Sequence, residues 1–264
     1  MWAYAGISVV NAIPSGLGST MAVDLKVRVE VLPGESGEHT QLTRAILDYF
    51  RKSYGVPELA IRVHSPIPPG GGLKSSSAVS VALIEAIAEK FGIGGVYPPA
   101  LSAETSLIAG VSVTGAFDDA VAAYHGGVSF TNNLKREIIA LRDPPLDLVV
   151  VINAIGGRRA LDIDALRRHS EFFGEVFSIA LRGDLLKAMT LNGMMIAKTL
   201  GYDIETVRRA LSLGALAAGV SGNGPSLFAI TREGDEGPLL DLFIAKGEGE
   251  VIVTRPAEVV RQRL

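Results

Sequence analysis

The chain has 264 residues, of which 48% are apolar and 20% charged, and its net charge is −3, so it is neither a disordered chain nor a charged fibre. It contains no cysteine, which excludes disulfides, thiol catalysis and cysteine-ligated metal sites. Because the sequence lacks a basic run, an apolar run of about 18 residues and the basic flank of a signal peptide, we expect a cytoplasmic protein that binds neither nucleic acid nor membrane.

The N-terminal half is predicted to mix strands and helices. Alternating apolar residues predict strands, and an apolar period near 3.6 predicts helices. The predicted strands are 3–10, 21–32, 59–64, 127–131 and 136–141. The predicted helices are 41–54, 78–91, 98–110 and 116–124.

The Asp143-Pro144-Pro145 segment is the best candidate for a domain boundary, which divides the chain into 1–145 and 146–264. The second half contains predicted strands at 146–153, 226–231 and 250–254. Its predicted helices are 162–182, 184–200, 203–213 and 236–246, with a glycine-rich turn at 219–225. Strands and helices do not alternate regularly, so the pattern favours an α+β fold in two subdomains.

The most informative stretch is 68–78, which reads PPGGGLKSSSA. Consecutive glycines leave bare N–H groups that can converge on an anion, and we expect the serines to cap the helix that follows. A helix N-terminus attracts phosphate, and Lys74 adds a cation. The stretch fits neither a P-loop, because Leu73 precedes the lysine, nor a dinucleotide fingerprint, because Ser75 stands where glycine or alanine belongs. The alternative is a flexible loop with an ordinary serine cap.

A pair of acids, Asp118 and Asp119, begins a predicted helix within the stretch 114–120. Either could act in catalysis, although acids at a helix N-terminus also simply complement the helix dipole. Asp119 is the better candidate for a purely structural residue. Glu104 lies on the preceding helix, where a solvent-exposed face is the simpler explanation.

Two further polar stretches could line a pocket. The stretch 219–226 nearly spells a nucleophile elbow, but Asn223 replaces the last glycine and a strand follows, so a glycine turn near a ligand, or a plain hairpin, fits better. The loop 11–20, followed by Asp24, either lines a pocket or forms a long hairpin connection. Arg158 and Arg159 could grip a carboxylate, although surface exposure is the simpler interpretation.

The order of the stretches 68–78, 114–120 and 219–226 resembles the motifs of the GHMP kinase superfamily. Within that superfamily, Lys74, the additional serine and the Asn-Ala-Ile of 11–13 look like the archaeal-type shikimate kinases. The resemblance implies a two-domain fold with a ribosomal-S5-like N-terminal part and a ferredoxin-like C-terminal part. It also implies phosphorylation of the 3-hydroxyl of shikimate by ATP with Mg²⁺, in a monomer or a homodimer.

The same resemblance implies a role for individual residues. Asp118 would be catalytic, and Ser76 and Glu104 would hold Mg²⁺. The predicted ATP-binding residues are Pro69, Gly70, Gly71, Gly72, Leu73, Lys74, Ser75, Ser76 and Ser77. The predicted substrate-binding residues are Asn11, Asp24, Ser221, Gly222, Asn223 and Gly224.

Two alternatives stay open at this point. Homoserine kinase and the isoprenoid-pathway kinases share the same motifs, so the acceptor could differ. A regulator that binds nucleotide without turnover could use the same fold, although such a protein would be expected to lose the aspartate or the metal ligands.

Overall fold

The computed structural model describes residues 1–34, 39–145, 147–157 and 160–261. The strands are β1 Trp2–Val10, β2 Leu17–Pro33, β3 Leu59–His64, β4 Val128–Asn132, β5 Glu137–Arg142, β6 Leu148–Ala154, β7 Ala217–Val220, β8 Leu227–Arg232 and β9 Glu250–Thr254. The helices are α1 Gln41–Tyr54, α2 Ser75–Lys90, α3 Pro98–Ile108, α4 Phe117–His125, α5 Ile163–Arg167, α6 Ser170–Leu181, α7 Leu185–Leu200, α8 Ile204–Ser212 and α9 Gly237–Lys246. This content confirms the predicted α+β class.

The first sheet is built around the long strand β2, and all of its pairings are antiparallel. The first half of β2 lies between β1 and β4, its second half pairs with β3, and β5 extends the sheet beyond β4. Helix α2 packs on β1 and β2 and is apolar on most of its surface, as a helix enclosed by other elements should be.

The second sheet has the order β7-β8-β6-β9 and is also antiparallel. Helix α7 packs on β7 and also on β1 of the first sheet, so it joins the two halves of the molecule. Gly193 of α7 lies against Gly219 of β7, where a side chain on either residue would collide with the other backbone. None of the helices within the described ranges is long and apolar enough to cross a membrane.

Three local predictions need correction. Strand β2 begins at Leu17, so only the first part of the predicted loop 11–20 is irregular. The predicted helix 162–182 is interrupted between α5 and α6 at Arg168 and His169. Strand β7 has no predicted counterpart, because its four residues are too few to display a period.

Candidate active site

The glycine loop before α2 is tied to both halves of the protein through its carbonyl groups. Leu73 O accepts from Gly6 N of β1 at 3.2 Å, and Gly71 O accepts from Ser226 N at 3.1 Å. Gly72 O accepts from Ser221 Oγ at 2.9 Å. Gly72 has a φ of +86°, and a Cβ there would lie 2.1 Å from a carbonyl oxygen, so only glycine fits.

The N–H groups of residues 70–77 are left available by this arrangement. Within the described part of the chain, none of them donates to a protein acceptor. The N-cap of α2 is Lys74 in a left-handed conformation with a φ of 65°, and Ser75–Ser77 form the first helical turn. The expectation that the serines cap the helix is therefore wrong, because the left-handed residue before them leads the chain directly into the helix. Free N–H groups at the start of a helix are the features on which anion-binding sites in proteins are built.

The two adjacent acids of α4 meet the lysine of the glycine loop. Lys74 Nζ lies 2.9 Å from Asp119 Oδ1, and both side chains are nearly buried. The hydroxyl of Thr20, on β2, lies 2.6 Å from Asp119 Oδ1 and 3.1 Å from Asp118 Oδ2. Because a hydroxyl has one hydrogen, Thr20 donates to one carboxylate at a time. The cluster thus couples two carboxylates through one hydroxyl and balances them with one cation.

Asp118 is only 4% exposed, and its carboxyl group is held from several sides. Asn133 Nδ2 donates to Asp118 Oδ1 at 2.7 Å, and Ser129 Oγ donates to the Asp118 carbonyl at 2.9 Å. A Cβ on Gly18 would lie 2.6 Å from Asp118 Cγ, so the glycine makes room for the carboxyl group. Asp118 is therefore fixed within the fold as well as oriented towards a cavity.

The surroundings of Asp118 favour its neutral form. Burial, followed by the adjacent Asp119 carboxylate, raises the pKa of Asp118 from 3.8 to about 7, although Lys74, Asn133 and Thr20 act in the opposite direction. A carboxyl group with a pKa near neutrality can both accept and release a proton at physiological pH. That property is what a general base requires.

Polar contacts join the two halves of the protein beside this cluster. Asn11 Nδ2 donates to Asn223 Oδ1 at 2.7 Å, and Asn11 N donates to Asn192 Oδ1 at 2.8 Å. Gly222 N donates to Ser8 Oγ at 3.0 Å. The loop after β7 therefore closes against the end of β1, and a ligand between them would contact both halves.

Two adjoining cavities lie beside the glycine loop, and the first of them is lined by both halves of the protein. A polar cavity of about 390 Å³ is lined by Asp118, Asp119, Asn11, Asn223 and the loop with Lys74, together with Ser106, Ser112, Thr114 and Leu161. A more apolar cavity of about 610 Å³ also borders the glycine loop and is lined by Ile61, Val63, Ile67, Val79 and Pro69, among others. The cavities share Leu42, Gly70, Ser75, Ser76 and Val111. Their volumes are in the range of sites for small molecules.

Most of the predicted site residues lie at these cavities, but some do not. Gly71 and Ser221 support the glycine loop without lining the polar cavity. Asp24 is exposed, 3.2 Å from Lys26, and lines a separate depression beside Arg255, so the structure does not bring it to the site.

The structure places Glu104 apart from the polar cavity and does not describe the predicted arginine pair. The side chain of Glu104 is 51% exposed and its carboxylate is 3.5 Å from the Arg136 guanidinium. It is not among the residues that line the polar cavity. Arg158 and Arg159 lie outside the described residues.

The sequence prediction assigns no individual role to three residues of the site. Thr20 is only the last residue of the predicted loop 11–20, and it lies within β2. Asn133 lies in the turn after β4, where an asparagine is ordinary. Thr114 belongs to the stretch 114–120, and its closeness in sequence to the acid pair is the only feature that could have indicated its place in the site. The partners of a buried carboxylate are distant in sequence, so local patterns do not identify them.

Family models match both halves of the chain. Residues 41–127 match the model described as GHMP kinases N terminal domain, and residues 179–241 match the model described as GHMP kinases C terminal. The first match includes the glycine loop and the acid pair, and the second includes Ser221–Gly224.

Archaeal proteins resemble the chain over most of its length. It is 36% identical over 247 residues to a Pyrococcus furiosus protein named shikimate kinase, which covers 87% of this chain and 90% of that protein. It is 35% identical over 270 residues to a Methanothermobacter thermautotrophicus protein of the same name, covering 94% and 91% of the two chains.

Solved structures with low sequence identity share the fold. A homoserine kinase from Cytophaga hutchinsonii superposes with a TM-score of 0.70 at 18% identity, over 98% of this chain and 95% of the other. The Methanococcus jannaschii mevalonate kinase gives a TM-score of 0.69 at 16% identity, over 97% of both chains. Together with the family models and the archaeal relatives, these structures confirm the resemblance drawn from the three motifs and the fold class that it implies. The chain belongs to the GHMP kinase family.

Proposed function

We propose that this protein transfers the γ-phosphoryl group of ATP to the 3-hydroxyl of shikimate, which yields shikimate 3-phosphate and ADP. The observation that carries the reaction type is the buried Asp118 carboxyl group in a polar cavity next to a glycine loop with free N–H groups. The acceptor is proposed from the relatives, since archaeal proteins about 35% identical to this chain are named shikimate kinase.

In this proposal, different parts of the nucleotide occupy the two cavities. The triphosphate lies along the N–H groups of residues 70–77, at the boundary between domains 1–145 and 146–264. The base and ribose occupy the apolar cavity, because Ile61, Val63 and Val79 offer apolar contacts and the shared Gly70 and Ser75 connect that cavity to the loop. The γ-phosphate then extends into the polar cavity, where the acceptor is bound.

The reaction itself requires positioning and a place for one proton. The acceptor oxygen forms a bond to the γ-phosphorus while the bond from that phosphorus to the β–γ bridging oxygen breaks, and ADP leaves with the bond's electron pair. Asp118 accepts the hydroxyl proton of the acceptor. Lys74 and the loop N–H groups stabilise the negative charge on the transferred group.

The acceptor's other groups meet amides and hydroxyls. Asn11, Gly222, Asn223 and Gly224 line the polar cavity and are proposed to contact the acceptor. The cross-contact between Asn11 and Asn223 means that both halves of the protein hold it. For the acceptor carboxylate, Arg158 and Arg159 remain our candidates.

We also propose that Mg²⁺ enters with the nucleotide, because this ion is commonly held by few protein ligands together with substrate phosphates. The Ser76 hydroxyl fits this role, since it lies in the first turn of α2 and lines both cavities. The position of Glu104 does not fit, because its carboxylate faces Arg136, and among the described residues there is no cluster of three acids or histidines that could hold a metal. When bound, the ion neutralises phosphate charge.

Two variants separate these metal assignments. We expect Ser76→Ala to raise the Mg²⁺ concentration for half-maximal turnover at least about 10-fold, since even indirect partners of a metal cost that much when removed. We expect Glu104→Gln to change it about 2-fold or less, because an exposed ion pair contributes little. Magnesium titrations at saturating ATP measure both. A larger rise in the required Mg²⁺ concentration for Glu104→Gln than for Ser76→Ala would contradict this assignment and identify Glu104 as the metal ligand.

The proposed function is tested by ADP release with ATP and Mg²⁺ in parallel reactions containing shikimate, homoserine or mevalonate. Turnover with shikimate alone is the expected result. Turnover with homoserine or mevalonate instead would keep the nucleotide site and reject the acceptor. ATP binding without turnover on any of the three would contradict the proposal and favour a nucleotide-binding regulator.

A further inference from the structure

Asn133 uses its whole side-chain amide around Asp118. Its Oδ1 accepts from Asp118 N at 3.2 Å and from Thr131 Oγ1 at 2.6 Å. Its Nδ2 donates to Asp118 Oδ1 at 2.7 Å and to Thr114 Oγ1 at 3.2 Å. An amide has two donor and two acceptor positions, so all four are filled, and the side chain is locked in one orientation.

This locked amide determines which oxygen of Asp118 can take a proton. Nδ2 only donates, so Asp118 Oδ1 faces a group that cannot accept a hydrogen bond. Oδ2 faces the Thr20 hydroxyl, which can accept as well as donate. A neutral Asp118 is therefore satisfied when the proton is on Oδ2, with Thr20 donating onward to Asp119 Oδ1.

From this geometry we infer that Asn133 is a positioning residue for the phosphoryl transfer, which orients Asp118 and directs the transferred proton to Oδ2. The inference rests on the proposed function for its catalytic part only. The orientation of the carboxyl group is a property of the free protein. Asn133 is 2% exposed and is not among the residues that line either cavity, so it acts through Asp118.

The charged groups that face Asp118 must be considered in any test. Asp119 on the same helix raises the pKa of Asp118, and Lys74 from the glycine loop lowers it. Asn133 and Thr20 also lower it by donating to the ionised form. Removal of the Asn133 donor should therefore raise this pKa while Asp119 and Lys74 are unchanged.

The first variant is Asn133→Asp, which keeps the shape and the acceptor of the side chain, removes its donor and adds a carboxylate beside Asp118. The matched control is Asn132→Asp, which makes the same change one residue away, where the side chain accepts from Lys135 N and does not touch Asp118. The Asp118 pKa can be measured in the free protein by ¹³C carboxyl NMR, where the Asp118 signal is the one that is lost in Asp118→Asn. We expect this pKa to be higher by about one unit or more in Asn133→Asp and unchanged in Asn132→Asp.

Steady-state kinetics supply the second readout. In Asn133→Asp, kcat should fall about 10–100-fold with the KM for ATP nearly unchanged, since misplacement of a catalytic group has costs of this size. The acid limb of the pH profile of kcat should move to higher pH, as the pKa of Asp118 does. The uncharged Asn133→Ser variant, whose hydroxyl is too short to reach Asp118, removes the donor without adding a charge. It should raise the Asp118 pKa and move the acid limb in the same direction.

The outcomes separate the inference from the proposed function. An unchanged Asp118 pKa in Asn133→Ser, or an equal shift in Asn132→Asp, would overturn the positioning role. A shift confined to the Asn133 variants, with no turnover on any acceptor, would support the orientation of Asp118 and reject the proposed reaction. A fall in kcat with an unmoved acid limb would indicate a merely structural residue.

Discussion

Asp118→Asn is expected to lower turnover at least about 100-fold while leaving ATP binding nearly intact, because a positioned base contributes roughly 10²–10⁴-fold. The amide has the shape of the neutral acid, so it still accepts from Asn133 and its new NH₂ group can donate to Thr20. The anion-binding loop is separate from this change. Single-turnover kinetics and ATP titrations measure the two quantities.

The same substitution is expected to stabilise the protein at alkaline pH. The pKa of Asp118 is raised in the folded protein from 3.8 to about 7, so the folded state holds a proton that the unfolded state has released. The contribution of this group is fully present below pH 4 and is lost as the pH rises through 7. Asparagine does not titrate, so its advantage over the wild type should grow across that interval.

Thermal unfolding at two pH values tests whether the substitution stabilises the folded protein as the pH rises. We compare the melting temperature of Asp118→Asn with that of the wild type at each pH. This difference should be larger at pH 8 than at pH 5 by more than about 4 °C, since 1 kcal/mol corresponds to roughly 2–4 °C in a chain of this size. Equal differences at both pH values would mean that Asp118 is not held neutral. Near-normal turnover in Asp118→Asn would show that Asp118 is not the general base.

Lys74→Met is expected to weaken ATP binding at least about 10-fold, because a hydrogen bond to a charged group contributes about 1.5–3 kcal/mol. Methionine keeps the aliphatic part of the side chain, whose Cγ would lie 3.3 Å from a Cβ on Gly6, so the effect reports mainly the charge. Adenosine, which lacks phosphates, should bind equally to both forms if the base occupies the apolar cavity. Isothermal titration with ATP and with adenosine distinguishes the two parts of the nucleotide site.

The stability of Lys74→Met should also fall, since Asp119 loses its partner in a nearly buried pair. Removal of one member of such a pair costs about 3–5 kcal/mol. The double variant Lys74→Met with Asp119→Asn is the control, because it removes the orphaned charge and should recover most of the stability without restoring ATP affinity. Recovery of ATP affinity in the double variant would show that Lys74 acts only by neutralising Asp119.

The sequence alone determined the family and indicated the segments that line the polar cavity. Glycines 70–72 with Lys74 predict an anion-binding loop because bare N–H groups and a helix N-terminus need only a few adjacent residues. The acid pair at 118–119 is likewise a local feature, and most of the predicted elements agree with the structure because periodicity is expressed within each segment. These inferences needed no knowledge of which segments are in contact.

The tertiary structure alone decided how those local features work. Thr20 is 98 residues away from Asp118 in the chain, and Asn133 belongs to a turn that no pattern marks, yet both orient its carboxyl group. The structure also separates Asp24 and Glu104 from the cavity, although their residue types suit a ligand. The physical reason is that the pKa and orientation of a buried carboxyl group depend on every polar group within a few ångströms, and the packing of distant segments determines which groups those are.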